Sequence, residues 1–224
     1  MTRILTKLKE NSDLGYKKFN DKLIPNVKST IGVRVPVLRR IASEIMKEDW
    51  RSFLDEEVVV FEENIIKAII IANAEMSSKE RLALTEKFVP AVDNWAVCDL
   101  LCGDWKITQD AIEPLWNYCN ELMASDEEFK MRVAAVMMLS KFLNDDYIDG
   151  VLALLLKYSN NNYYYKMGAA WTLSYCYIEY QEKTEEVLRS GELDHEIRNF
   201  TIRKVCESRR VDDDTRQRVK TFKL

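Results

Sequence analysis

The amino-acid sequence predicts an all-α fold of antiparallel helix pairs stacked along the chain. Apolar residues recur at helical spacing through most of the 224 residues, and no stretch shows the alternation of apolar and polar residues that is typical of strands. Only 6 glycines and 4 prolines interrupt this pattern, which disfavours a turn-rich β-sandwich or barrel. With 47% hydrophobic and 31% charged residues, the chain has the composition of a folded protein.

The periodicity predicts ten helices, which short polar segments separate. Val37, Ile41 and Ile45 illustrate the spacing, because residues four apart lie on one face of a helix. Pro36 stands in the first turn of that helix, where proline is tolerated. The predicted helices span residues 36–48, 61–76, 77–89, 95–101, 108–123, 127–143, 147–158, 162–180, 195–208 and 213–222. No linker rich in serine, glycine or proline divides the chain, so we predict a single domain over residues 1–224.

A short motif recurs within this helical pattern. The sequence Lys-Met-Arg-Val-Ala-Ala of residues 130–135 returns as Lys-Met-Gly-Ala-Ala-Trp at residues 166–171, with a weaker copy at 202–205. The spacing of 36 residues accommodates two helices, although HEAT and armadillo repeats usually run to roughly 40 to 47 residues. We therefore predict a HEAT-like or armadillo-type α-α superhelix, whose concave surface is lined by the second helix of each pair. The cations Lys130, Arg132 and Lys166 would then project from neighbouring repeats.

The charge of the chain is unevenly distributed. The formal net charge is −4, yet residues 1–51 contain 12 lysines and arginines against 6 acidic residues, and residues 198–224 contain 9 against 4. The middle of the chain, residues 52–197, contains 12 against 27. Basic ends could bind phosphates, but charge alone favours the simpler interpretation that these side chains solubilise helix faces.

Composition also excludes several classes of site. His195 is the only histidine, so neither a Cys/His zinc site nor a Ser-His-Asp or Cys-His catalytic group can be completed. The five cysteines have no paired spacing and are expected to be reduced, buried side chains. The N-terminus lacks the apolar segment of a secretory signal, and no apolar run is long enough to cross a membrane. We expect a cytoplasmic protein that does not bind membranes.

Four residues are candidates for a functional site. Trp95 and Asp99 are four residues apart, which places an indole and a carboxylate on one face of a helix. Arg132 and Trp171 are separated by 39 residues, close to one repeat, so all four side chains could open onto a common groove. In the alternative interpretation, Trp95 and Trp171 are core residues, and Asp99 caps a helix or pairs with Arg132.

The sequence resembles a known family, the bacterial DNA alkylation repair glycosylases built of HEAT-like repeats. The resemblance covers most of the chain and rests on the order and spacing of several short motifs. These motifs are Lys22–Pro25, Gly32–Arg39, Trp95-x-x-x-Asp99, Met131-Arg132-x-Ala134-Ala135 and Ala170-Trp171.

The resemblance implies an enzyme that hydrolyses the N-glycosidic bond of cationic N3- or N7-alkylated purines in duplex DNA, without full flipping of the base. It implies that Asp99 is the catalytic carboxylate, that Trp95 and Trp171 flank the lesion, and that Arg132 holds a phosphate. Together with the charge pattern, it leads us to expect further DNA contacts from Lys130, Lys166, Arg34 and Arg203. No metal, cofactor or obligate protein partner is expected, and the protein is expected to be a monomer.

The chemistry is consistent with these residue types. Loss of a cationic base leaves an electron-poor, oxocarbenium-like sugar, which a fixed carboxylate stabilises and electron-rich indole faces attract. The alternative function is a HEAT-like scaffold that binds nucleic acid or protein without catalysis. Because such a scaffold has no need for a carboxylate, two indoles and an arginine together, their presence favours the enzyme. A hydrolase of another nucleotide is disfavoured, since the sequence has no phosphate-binding loop.

Overall fold

The computed structural model describes residues 3–27 and 29–223, and all regular structure in these residues is helical. This confirms the predicted all-α class, while the superhelix remains a prediction. No helix within the described ranges is long and apolar enough to cross a membrane. Two 3-10 turns, Val89–Ala91 and Gln109–Ala111, accompany the α-helices. The α-helices are α1 (Arg3–Glu10), α2 (Leu14–Leu23), α3 (Val35–Ile45), α4 (Trp50–Asp55), α5 (Phe61–Asn73), α6 (Ser78–Phe88), α7 (Trp95–Asp104), α8 (Ile112–Met123), α9 (Glu128–Lys141), α10 (Ile148–Lys157), α11 (Tyr163–Glu179), α12 (Gln181–Arg189), α13 (His195–Glu207) and α14 (Asp213–Lys220).

The chain forms two compact units, residues 1–108 and residues 109–224. In the first unit α5 packs against α3 on one side and against α7 on the other. Helix α5 is apolar almost all round, and Ile66 and Ile70 in it are fully buried. Val97 and Leu101 of α7 are also fully buried. This packing fixes α7, the helix that carries Trp95 and Asp99, against the core of the unit. The prediction of a single domain remains a prediction.

The sequence repeat corresponds to adjacent helices of the second unit. Helix α11 packs against both α9 and α13, the helices that contain the two other copies of the motif. The small residues of the motif permit this close contact. Ala135 and Ala169 are fully buried, and the helices are near enough for the Thr172 hydroxyl to donate to the Ala135 carbonyl at 2.8 Å. A Cβ atom on Gly168 would lie 3.1 Å from Cγ of Arg132. Glycine at this position therefore leaves room for the arginine at the equivalent position of the preceding repeat.

The periodicity did not predict four helices, namely α1, α2, α4 and α12. Helix α2 exposes Leu14, Phe19 and Leu23 to solvent, so its apolar residues do not mark a buried face. Helix α12 is mostly charged and contains only two apolar residues, Val187 and Leu188, both of which are buried. Such helices form because neighbouring elements pack against them, which local periodicity does not report.

One buried carboxylate joins α12 to α14 in the second unit. The Glu185 side chain is 1% exposed and accepts hydrogen bonds from the Arg218 guanidinium at 2.5 and 2.7 Å. Arg189, Gln181 and Tyr177 donate to the same carboxylate at 3.0, 3.0 and 3.2 Å. The hydrogen bonds from Arg218 are the main reason why the pKa of Glu185 falls to about 2 from its ordinary value of 4.5.

We predict that Glu185→Gln destabilises the second unit at pH 7 and changes its response to acid. Because the folded-state pKa of Glu185 lies below its unfolded value, its ionised form stabilises the fold above about pH 4.5. That contribution is lost as the pH falls towards 2. We expect a loss of about 2 kcal/mol at pH 7 and a smaller difference near pH 2, measured by urea unfolding. Glu182→Gln, an exposed change on the same helix, should have little effect at either pH. Equal losses at both pH values would contradict the prediction.

Candidate active site

Trp95 and Asp99 occupy the first turns of α7, in the first unit. The Asn94 side chain caps this helix by accepting a hydrogen bond from the Val97 N–H at 3.0 Å, so α7 begins at Trp95. Trp95 is half-buried, and its indole N–H donates to the Leu23 carbonyl at 3.0 Å. This bond attaches α7 to the end of α2. The indole therefore has a fixed position, and Asp99 lies one turn further along the same face.

Both side chains line a pocket of about 240 Å³ between α2, α3, α5 and α7. Three aromatic rings contribute to it, those of Tyr16, Phe61 and Trp95. Asp99 is half-buried and provides the one carboxylate among the described residues that line the pocket. The other lining residues are Asn20, Val33, Val35, Leu38, Ile65, Ala96 and Leu100. An apolar pocket with a single carboxylate suits a ligand that is largely apolar and carries, or develops, positive charge.

Tyr16 is a pocket residue that the sequence analysis did not identify. Its hydroxyl lies 3.5 Å from Oδ1 of Asn20, and the Arg34 guanidinium lies 5.0 Å from the centre of its ring. Burial raises the pKa of Tyr16, so the phenol is neutral at physiological pH and can donate a hydrogen bond. Asp13 caps α2 by accepting from the Tyr16 N–H at 2.9 Å and also pairs with Arg34 at 2.9 Å. The spacing of Tyr16 and Asn20, four residues apart, could have indicated their shared face.

The loop before α3 is held by a buried carboxylate from α5. Glu62 is 1% exposed, and its Oε1 accepts hydrogen bonds from the N–H groups of Ile31, Gly32 and Val33 at 2.9, 2.6 and 3.3 Å. Gly32 has a φ of +90°, and a Cβ there would overlap Cβ of Lys17, so only glycine fits. The loop thereby presents Val33 to the pocket.

Arg132 and Trp171 lie in the second unit, on α9 and α11. Arg132 is 5% exposed, and its Nη1 donates to the Tyr164 carbonyl at 2.8 Å, which joins the two helices. Trp171 is half-buried, with its ring 6.3 Å from that of Tyr175 in an edge-to-face arrangement. Trp171 therefore keeps a solvent-accessible portion, whereas the Arg132 side chain already has a structural partner.

The other four predicted DNA-binding cations have different surroundings. Arg34 and Arg203 are exposed, and the Arg203 guanidinium lies 5.6 Å from the centre of the Phe200 ring. Lys130 is half-buried and pairs with Glu127 at 2.5 Å. Lys166 is 4% exposed and pairs with Asp194 at 3.1 Å and Glu196 at 2.6 Å. A phosphate at Lys166 would have to compete with two carboxylates, and a phosphate at Arg34 with the carboxylate of Asp13 at 2.9 Å. The exposed Arg203 is in contact with an aromatic ring instead.

The structure thus brings Trp95 and Asp99 together in one pocket of a helical protein. A comparison with protein-family models matches residues 4–207 to the family described as DNA alkylation repair enzyme. The chain belongs to this family, which confirms the resemblance inferred from its motifs. No curated protein and no solved structure matched the chain.

Proposed function

We propose that this DNA alkylation repair enzyme is a glycosylase that removes cationic N3- or N7-alkylated purines from duplex DNA. Family membership supports the repair role and the DNA substrate. The observation that carries the more specific proposal is the pocket of the first unit, where Asp99 and Trp95 lie on one face of α7. The proposal assigns the chemistry to this pocket.

The first step is cleavage of the bond between C1′ and the base nitrogen. Alkylation at N3 of adenine or N7 of guanine gives the base a positive charge, so the base departs with the bonding electron pair as a neutral molecule. The deoxyribose is left with a positive charge shared between C1′ and the ring oxygen. The Asp99 carboxylate stabilises that developing charge, and its surroundings strengthen the attraction because apolar walls lower the local dielectric.

The second step is addition of water to C1′. The water oxygen forms the new bond, and its proton passes to Asp99 or to solvent, which leaves an abasic site and a free base. The indole face of Trp95 would attract the cationic sugar by about 0.5 to 2 kcal/mol. Because the Trp95 N–H donates to the Leu23 carbonyl, the ring already has a fixed position before substrate binds. We propose the same kind of contact for Trp171.

The lability of a cationic lesion supports recognition without full base flipping. A base that already carries a positive charge leaves more readily than a normal base, so an enzyme can select it with little direct contact. We further propose that the protein acts as a monomer without metal or cofactor, and that its cations bind DNA phosphates. Affinity should then fall steeply with salt.

The experiment that tests the proposal measures base release from methylated duplex DNA. We expect the wild-type protein to release free 3-methyladenine or 7-methylguanine and to leave abasic sites, detected by chromatography and by alkaline strand cleavage. The control is the unmodified duplex of the same sequence, from which no base should be released. Binding of methylated duplex without release of either base would instead support a scaffold without catalytic activity.

We predict that Arg132→Ala weakens both DNA binding and excision, because Arg132 is proposed to hold a phosphate. A phosphate contact is typically charge-assisted, and we expect a loss of about tenfold in affinity. Because Arg132 also donates to the Tyr164 carbonyl, the variant should lower the melting temperature as well. Binding is therefore measured by fluorescence anisotropy at a temperature where the variant is folded. Lower stability with unchanged affinity would show that Arg132 only joins α9 to α11.

A further inference from the structure

The outward face of α2 carries an unusual concentration of exposed apolar side chains. Leu14, Phe19 and Leu23 are 71%, 59% and 44% exposed, and they account for half of the exposed large apolar residues in the described part of the chain. All three belong to a helix of ten residues. Lys18 and Lys22 are exposed on the same helix and form no ion pair with any described residue. An exposed apolar group next to unpaired cations indicates a binding surface.

The positions around α2 place this surface at the edge of the active-site pocket. Successive helical residues are about 100° apart, so residues four apart form rows along the helix. Lys18 and Lys22 form one row, Phe19 and Leu23 form the next, and the row after that contains Tyr16 and Asn20, which line the pocket. The apolar row therefore lies between the lysines and the pocket.

The acidic residues of α2 do not offset the two lysines. Asp13, the N-cap, pairs with Arg34, and Asp21 accepts hydrogen bonds from Lys17 at 2.6 Å and from Thr30 at 2.5 Å. Both carboxylates thus already have cationic partners. These pairs lie on the side of α2 that faces the loop before α3. The outward face keeps the positive charge of Lys18 and Lys22, which suits an anionic partner.

We propose that the outward face of α2 binds the DNA strand next to the nucleotide whose deoxyribose lies at the mouth of the pocket. Lys18 and Lys22 contact the phosphates of that strand, while Phe19 and Leu23 pack against the deoxyribose and base edges of the flanking nucleotide. The order of the three rows supports DNA as the partner, because a nucleotide at the pocket is covalently joined to sugars and phosphates that continue outwards. Packing of apolar side chains against the strand would also exclude water from the mouth of the pocket. The inference rests on the proposed function for its placement of the reacting nucleotide.

Two sets of variants separate the ionic and apolar contributions. The Lys18→Ala/Lys22→Ala double variant should weaken duplex binding and reduce the slope of log affinity against log salt by about 2, since each phosphate contact contributes about 0.9. The Phe19→Ala and Leu23→Ala variants should each weaken binding by about threefold to tenfold without changing the slope. Anisotropy with a labelled duplex measures both quantities.

Matched controls come from the same unit. Lys79→Ala/Lys87→Ala removes two exposed lysines of α6, and Val59→Ala removes an apolar side chain that is 56% exposed outside α2. Both controls should leave affinity and salt dependence unchanged, and circular dichroism verifies that every variant is folded. Wild-type affinity and slope in all the α2 variants would overturn the inference. The inference would also be overturned if the α2 variants lost binding to vesicles of phosphatidylserine and phosphatidylcholine while their DNA binding was unaffected. That result would identify α2 as a membrane-binding surface.

The excision assay distinguishes failure of this inference from failure of the proposed function. If the wild-type protein released no base while the α2 variants still lost affinity, the glycosylase proposal would fail and α2 would stand as a DNA-binding surface. If the wild type released base and the α2 variants bound as the wild type does, only the inference about α2 would fail.

Discussion

Asp99→Asn is expected to lower the rate of alkylpurine excision by about 100-fold or more and to leave the affinity for duplex DNA within about twofold. Asparagine has the same shape as aspartate but carries no charge, so it cannot stabilise a positively charged sugar. The pocket around Asp99 is mostly apolar, and the charge that is lost there is poorly replaced by solvent. Single-turnover measurement on a methylated duplex isolates the chemical step from product release.

The control for this variant is Asp93→Asn, which changes an exposed carboxylate immediately before the N-cap of α7. It should excise at the wild-type rate. A second measurement uses a duplex that contains a pyrrolidine in place of the deoxyribose, because its protonated nitrogen imitates the charge of the transition state. Wild type should bind this duplex more tightly than Asp99→Asn does. The ratio of the two affinities should be similar to the ratio of the two excision rates. Equal excision by Asp99→Asn and wild type would contradict the assignment of Asp99.

Of the candidate site residues that the sequence predicted, the two that the structure brings together in one pocket are those whose relationship is local. Trp95 and Asp99 are four residues apart on one helix, and helix geometry alone places them on one face. The structure adds that this face lines a pocket, to which α2, α3 and α5 also contribute. Helix α2 was not predicted. The spacing of Tyr16 and Asn20 could have indicated their shared face, but not that this face lines a pocket with α3, α5 and α7.

Side chains whose partners are distant in sequence could not be interpreted from local patterns. Lys166 was expected at a DNA surface, yet its ion-pair partners are 28 and 30 residues away, on and next to α13. Its carboxylate partners lie near the start of the next motif helix, where sequence alone gives no indication of contact. The DNA-binding role of Lys166 remains a prediction, and its ion pairs with Asp194 and Glu196 define what a phosphate would have to displace.

Glu62 illustrates the same limit, and its replacement should destabilise the fold more than Glu185→Gln does. We expect Glu62→Ala to destabilise the first unit by about 3 kcal/mol or more, since it leaves the N–H groups of Ile31, Gly32 and Val33 without their acceptor. Glu62→Gln should cost less, about 1 to 2 kcal/mol, because its carbonyl oxygen can take the place of Oε1. Urea unfolding measures both losses.

Replacing Glu62 should lower activity because the loop before α3 loses its support, and not only because the fold becomes less stable. Glu63 is a matched control, since it is also buried in the first turn of α5 and accepts from the N–H groups of Val59 and Val60 at 2.7 and 3.0 Å. Glu63→Ala should lose comparable stability, but it leaves intact the loop that presents Val33 to the pocket.

At a temperature where both variants are folded, Glu62→Ala should therefore excise more slowly than Glu63→Ala. Its amides at residues 31–33 should also exchange hydrogen faster. If the two variants excised equally well, Glu62 would stabilise the fold without positioning the pocket. Slower excision by Glu62→Ala alone would show that Glu62, although it does not line the pocket, determines the pocket's shape. That shape sets how Asp99 and Trp95 contact the substrate.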